Sequence, residues 1–500
     1  MRRPLLALLA CSLPFVASSL TGCAAGPTVV QPGALDPTGQ ARSIAGEPLA
    51  AYPPGDVGAE LRAAQESDAP PAKGPWIGAA GASDLVMAGT SDTVLGVWVD
   101  VPRIPARQHA PADVALVIDT SGSMAGPKME NARTAALALV DKLHDGDILS
   151  ISTFANEASV RLDPTILNPM TRRVFRGVIA GLQPSGGTNM FDGLTLAEQL
   201  ALRGPATHPV RRVVVISDGM ANIGPSSTEV LGALAARGSD RGAQVTAIGV
   251  GLDYDERTLD ALAVRSSGRL YHVNEPGELP PIMDREIALL QQSAATGASI
   301  EIVPAAGVEL LGIEGVRADR DAMGTVRVPL GTMFGGQHRE LALKVRVHAQ
   351  GEGSRPLASV RLRFKDPSDG NLDRVQEVVA RYQVAGSMAE VEARRNDRTR
   401  AIVASQDAAQ AQLFAAQQVN DGRYDDADKK LAAAENHLRE EAVKAKNDSD
   451  RQRMMASAAR VGQARASAKA AAAAPPAAAP AARRARALDM NQAAMKDAGF

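Results

Sequence analysis

Residues 114–118 (Val-Ala-Leu-Val-Ile) and 213–216 (Val-Val-Val-Ile) are apolar without interruption, the pattern of parallel strands buried on both faces. Around them, apolar positions recur at helical spacing over 128–143, 171–182, 190–202, 228–237, 255–264 and 278–292, and further strands read over 148–154, 244–251 and 270–273. Strands alternating with helices predict an α/β domain over 111–292, a doubly wound parallel sheet covered on both faces. On either side the period changes to two. Residues 93–101 set Leu95, Val97, Val99 and Val101 on one face, and 299–303, 308–313, 325–330, 340–347 and 359–364 are short runs separated by turns such as Gly335-Gly336 and Asp369-Gly370. They predict an antiparallel β-sandwich over 293–385. If the strand segment 85–110 joins that sandwich, the α/β domain is inserted in it; otherwise the sandwich flanks it.

Beyond Gly386 the pattern turns helical. Residues 389–419 and 424–446, broken at Asn420-Asp421-Gly422, predict an α-helical hairpin within a region spanning 386–467. Gly422, Tyr424, Ala427, Leu431 and Ala434 fit half of a tetratricopeptide-like unit, but such units stack in threes. A plain hairpin packed on the sandwich is the simpler expectation. Residues 468–500, rich in Ala and Pro with Arg483, Arg484 and Arg486, read as a disordered tail.

The N-terminus changes the picture of where the domains work. Met1-Arg2-Arg3 precedes a mostly apolar stretch to Leu20, the layout of a signal peptide over 1–22. About seventeen residues broken by Pro14 are short for a membrane span of about twenty. Leu20-Thr21-Gly22-Cys23 resembles the lipobox of bacterial lipoproteins, which implies cleavage before Cys23 and lipidation of that cysteine; Ala24 in place of Asp then favours the outer membrane over the inner. Residues 23–84, rich in Pro, Gly and Ala, read as a flexible tether. The only cysteines are Cys11 and Cys23, so the folded domains must stand without a disulfide. Five hundred residues allow two or three domains. A formal net charge of −2 and 3 % aromatic residues give neither a long-range pull on nucleic acid nor a platform for stacking bases.

Candidate chemistry collects at the ends of the predicted strands. Asp119-Thr120-Ser121-Gly122-Ser123 follows the first apolar run, Ser185-Gly186-Gly187-Thr188-Asn189 forms a glycine-rich loop, and Asp218-Gly219 follows the second run. In open α/β sheets, ligands bind beyond the carboxyl ends of the strands. Asp119 and Asp218 brought together there would repel unless a cation intervenes. With Ser121, Ser123 and Thr188 they form an all-oxygen donor set suited to a hard ion: Mg²⁺, with Mn²⁺ and Ca²⁺ as alternatives. Other chemistries fail on the same residues. Ser121 interrupts an Asp-Thr-Gly protease motif and stands where a haloacid-dehalogenase-type phosphotransferase needs a second Asp, and no nucleophile elbow or Walker loop occurs. The seven histidines show no metal or triad spacing, so the expectation is a protein that is not an enzyme.

The combination Asp-x-Ser-x-Ser, a distant Thr and a distant Asp resembles the metal-ion-dependent adhesion site of the von Willebrand factor type A domain, and all its parts are present in order. The resemblance implies that Ser121, Ser123 and Thr188 ligate the ion, that Asp119 and Asp218 act directly or through water, and that an Asp or Glu of a partner protein completes the coordination. Inter-α-trypsin-inhibitor-heavy-chain-like proteins look similar in setting such a domain among β-strands. The expected function is a membrane-anchored, divalent-metal-dependent protein-binding module for adhesion or envelope assembly. The alternative is a structural envelope lipoprotein in which the metal only stabilises the fold.

Overall fold

The computed structural model describes residues 76–102, 110–251, 254–273, 282, 286–290, 292–313, 316–473 and scattered positions from 479 to 494. The chain opens with three strands, β1 (Trp76–Gly81), β2 (Leu85–Met87) and β3 (Gly89–Asp100), and then enters an α/β unit. Its elements are β4 (Ala112–Asp119), α1 (Pro127–Lys142), β5 (Ile148–Phe154), β6 (Ala158–Ile166), α2 (Pro169–Ala180), α3 (Met190–Leu202), β7 (Val210–Ser217), α4 (Thr228–Asp240), β8 (Ala243–Val250), α5 (Glu256–Arg265) and β9 (Arg269–Val273). The strands form one sheet in the order β6-β5-β4-β7-β8-β9. All neighbours run parallel except β6, which turns back antiparallel along β5. The strand order therefore reverses between β4 and β7, and the crevice that opens at such a reversal lies beyond Asp119 and Ser217.

Two apolar layers cover this sheet, as the unbroken β4 and β7 runs require. Val114, Leu116 and Ile118 face Leu139, Val140, Phe175 and Ile179 of α1 and α2. Ala115 and Val117, pointing the other way, meet Leu194, Leu200, Leu231 and Leu262 of α3, α4 and α5. Helix starts are set locally. Asn168 forms a capping box on α2, and Asn189, Ser227 and Asp255 each accept a backbone N–H at the start of α3, α4 and α5. The expected closing helix over 278–292 is helical at 286–290, with most of the remainder outside the described residues. Strand β6 has no counterpart among the expected elements: an edge strand with Arg161, Asp163 and Pro164 lacks the apolar signature of an inner strand.

The chain then builds β10 (Ser293–Pro304), β11 (Val308–Ile313), β12 (Asp319–Arg320), β13 (Val326–Phe334), β14 (His338–Ala349), β15 (Arg355–Asp366) and β16 (Leu372–Ala385). They form two sheets, β1-β3-β14-β11 and β12-β13-β10-β15-β16-β2, packed over a shared core that includes Leu95, Val97, Val99, Ile300, Leu343, Val345 and Leu362. Strand β3 pairs with β14 along its whole length, from Gly89↔Ala349 to Asp100↔His338. The α/β unit is thus inserted between β3 of one sheet of the sandwich and β10 of the other. The first strand, Trp76–Gly81, lies inside the segment expected to be tether, because it pairs with β3 from Trp76↔Asp100 to Gly81↔Leu95.

The C-terminal region holds α6 (Met388–Ala393), α7 (Asp397–Asn420), α8 (Tyr424–Lys444) and α9 (Asp448–Ala472). Where a hairpin was expected, three long helices pack together, with Ala401, Ala408, Leu431, Leu438, Met454 and Val461 in their core. Helix α9 is obscured by its composition, since apart from Met454 and Val461 its buried stripe is made of small and polar residues. It runs into the segment expected to be a tail, and Ala487 and Met490 of that segment also join the bundle core. The bundle is fastened to the outer face of β3 and β14. Ile402 meets Trp98 and Ala80, and buried Arg398 reaches Glu340 at 2.6 Å, Asp100 at 3.5 Å and Asp450 at 4.0 Å. His338 bonds to Asp100, and Arg453 to Glu340, completing the network.

Candidate metal-binding site

Three loops meet at the carboxyl ends of β4, β5 and β7, and backbone hydrogen bonds stitch them together. Thr120 N donates to Phe154 O at 2.9 Å, Ser185 N to Thr120 O at 2.7 Å, and Gly122 N to Gly186 O at 2.9 Å. On the other side Asn222 brackets Thr188: its side-chain oxygen accepts Thr188 N at 2.8 Å while its own N–H donates to Thr188 O at 3.1 Å. Asn156 Oδ1 accepts Gly187 N at 2.6 Å. The first glycine of this loop is required by its backbone, and the second leaves room for Ile223. Gly186 has φ 75°, and a Cβ on Gly187 would lie 2.5 Å from Ile223 Cδ1.

Asp119, Ser121, Thr188 and Asp218 are buried, whereas Ser123 is exposed at the mouth. Asp119 Oδ1 accepts Ser121 N at 2.8 Å, and its Oδ2 accepts Ser217 Oγ at 2.5 Å. Ser121 Oγ and Ser123 Oγ stand 3.0 Å apart. Asp218 Oδ2 accepts Lys128 Nζ at 2.8 Å, and Asp218 Oδ1 accepts Met220 N at 3.4 Å. Burial pushes the Asp119 carboxyl up to about 6; hydrogen bonds from Ser121 and Ser217 oppose the rise, and the neighbouring Asp218 adds to it. Two buried carboxylates are therefore held close, with one ammonium to balance them.

The donor set suits a small hard cation. Ligands about 2.1 Å from an octahedral Mg²⁺ sit about 3.0 Å from their neighbours along each edge, and the Ser121–Ser123 hydroxyl separation is 3.0 Å. A divalent charge would also offset the burial that raises Asp119 and relieve the smaller repulsion from Asp218. Among the described residues no group of three or more His, Cys, Asp or Glu is placed to hold a metal. Cys23 lies outside the described residues.

Four residues escaped sequence reasoning. Ser217 precedes Asp218 and fixes Asp119 from across the β4–β7 boundary; Lys128 neutralises Asp218; Asn156 and Asn222 hold the Thr188 loop. Only Ser217 had a signal, as the polar residue that ends the apolar run 213–216.

Comparison with known proteins bears on the α/β unit and its fold. The family model for the von Willebrand factor type A domain matches residues 114–221. The uncharacterised protein sll0103 of Synechocystis is 26 % identical over 302 residues, covering 58 % of this chain and 70 % of that protein. The uncharacterised protein YfbK of Escherichia coli is 24 % identical over 264 residues, covering 52 % of this chain but 46 % of its own length. Among solved structures, a von Willebrand factor type A protein from Catenulispora acidiphila superposes with TM-score 0.64 at 17 % identity, over 85 % of this chain and 97 % of that one. The chain carries a von Willebrand factor type A domain, a module that generally serves protein interaction or adhesion, set within a β-sandwich.

Proposed function

We propose that this protein is an envelope-anchored, divalent-metal-dependent protein-binding module. The observation that carries the reading is the oxygen cradle at the β4–β7 reversal, where Asp119, Ser121, Ser123 and Asp218 converge beside the Thr188 loop. Mg²⁺ is the proposed ion, with Mn²⁺ and Ca²⁺ as alternatives, held by Asp119, Ser121, Ser123, Thr188 and Asp218. When bound, it supplies an open coordination position for a hard anionic oxygen. The partner group is an Asp or Glu side chain of another protein, approaching past exposed Ser123 and Met220. The chain's own residues hold the site's shape: Asn222 and Asn156 bond the Thr188 loop, and Ser217 Oγ donates to Asp119 Oδ2.

Anchoring rests on the N-terminal sequence. Lipidation of Cys23 would place the protein at a membrane surface, the outer membrane being favoured by Ala24, with residues 24–75 linking the lipid to β1. Among the described residues no helix is long and apolar enough to cross a membrane. The competing reading, an ion that only stabilises the fold, predicts the same metal dependence of melting temperature but no metal-dependent partner.

The test is retention of envelope proteins by residues 24–500 in Mg²⁺, in EDTA, and with Ser123→Ala, chosen because Ser123 is exposed and its hydroxyl is not needed for packing. A protein retained only by the unaltered chain in Mg²⁺ supports the proposal and names the partner. Identical retention in all three arms refutes it.

A further inference from the structure

Lys128 is in an unfavourable place for a lysine. It occupies the first turn of α1, directly after Pro127, where the partial positive charge of a helix N-terminus repels a cation. What compensates is Asp218, fully buried, whose Oδ2 lies 2.8 Å from Lys128 Nζ, while the lysine side chain itself is 23 % exposed. Room for the aliphatic stem comes from Gly251, which has φ 86° and where a Cβ would lie 2.9 Å from Lys128 Cε. Chain geometry on two separate segments therefore aims one ammonium at one carboxylate of the candidate site.

We infer that Lys128 is the site's resident counter-cation. It balances the Asp119–Asp218 pair while no ion is present and competes with an incoming divalent ion, so it sets the free metal concentration at which the site loads. The inference rests on the metal reading above. With two carboxylates and one ammonium the site carries a single net negative charge; without the ammonium it would carry two, and attraction for a divalent cation would rise accordingly. The same removal leaves two buried like charges facing each other in the metal-free protein, which destabilises that state. One side chain is thus assigned two opposite effects, on metal affinity and on metal-free stability.

The experiment is calorimetric titration of residues 24–500, stripped of metal, with MgCl₂ and MnCl₂, paired with melting temperatures in EDTA. Lys128→Met keeps the stem and removes the charge; Lys128→Gln keeps a donor for Asp218 without the charge; Lys128→Arg keeps the charge. The expected result is a dissociation constant lowered at least about tenfold in Lys128→Met and Lys128→Gln, a lower melting temperature for both in EDTA, and a larger rise on adding Mg²⁺. Lys128→Arg should stay within a few-fold of the unaltered protein. If the unaltered protein binds the ions and neither neutral variant binds them more tightly, the counter-cation role is refuted while the metal site stands. If the unaltered protein binds neither ion, the metal reading itself falls and takes this inference with it.

Discussion

Glu198 gives the sharpest quantitative test of the fold. It lies on α3 with 4 % of its surface exposed, against Gly238 of α4, and its Oε1 has no hydrogen-bond partner. Burial pushes its carboxyl from 4.5 up to about 8, with Arg241 and Arg237 pulling it partly back. Because the folded value lies above the unfolded one, this group's stabilising contribution is fully present below pH 4.5 and is lost as pH rises through about 8. At about 1.4 kcal/mol per pH unit, the loss between pH 5 and pH 8 is about 3–4 kcal/mol. Glu198→Gln keeps the shape and abolishes the titration. The variant should match the unaltered protein near pH 5 and exceed it increasingly toward pH 8, by roughly 5–10 °C in melting temperature. Comparing the two proteins at each pH cancels the contributions of Asp113, Asp119 and every other group they share. Differential scanning calorimetry across pH 5–8 makes the measurement. A difference that stays flat with pH would mean that Glu198 is ionised in the folded protein, and the argument from burial would be wrong.

Arg398→Met should loosen the helical bundle, since it removes from the interface the buried cation that Asp100, Glu340 and Asp450 share; a cost of roughly 3–5 kcal/mol should show as faster hydrogen exchange in α7, α8 and α9 with the α/β sheet still protected. Gly193→Ala should destabilise by about 1–3 kcal/mol in chemical denaturation, because its Cβ would lie 2.4 Å from Phe154 Cδ1 and that overlap outweighs the gain of about 1 kcal/mol in helix propensity. Ser217→Ala, which frees Asp119 Oδ2, should weaken Mg²⁺ binding about 10-fold or more in calorimetry, the usual effect of losing a group that orients a ligand.

What the sequence disclosed follows from which forces leave a periodic trace. Strands buried on both faces must be apolar throughout, so β4 and β7 announced themselves as Val114–Ile118-type runs with chemistry at their ends. Asp119, Ser121 and Asp218 were found for the same reason: they lie within three residues of the ends of such runs. Elements stabilised by fewer or smaller apolar contacts left less. Strand β6 has no fully buried residue, and α9 buries Ala458, Ala464 and Ala468 where a larger residue would have marked the stripe.

Charges buried by tertiary contact left no trace at all, and they are what the site and the interfaces turn on. Lys128 lies 90 positions from Asp218, and Arg398 lies 298 from Asp100. No spacing rule joins residues so far apart, because the distance that matters is set only after two apolar layers and a sandwich have closed around them. Each of these cations is costly to bury alone, so its place is fixed by its partner rather than by its own segment. For Lys128 that makes the local sequence actively misleading: a lysine in a helix's first turn opposes the helix dipole, and by local preference would be read as an exposed residue of no consequence. The contradiction is resolved only by Asp218. Under the proposed metal reading, the same logic makes the site's charge balance, rather than its ligand list alone, decide when it would take an ion, since the proposed ligands are legible from loops but the proposed competing cation comes from a helix.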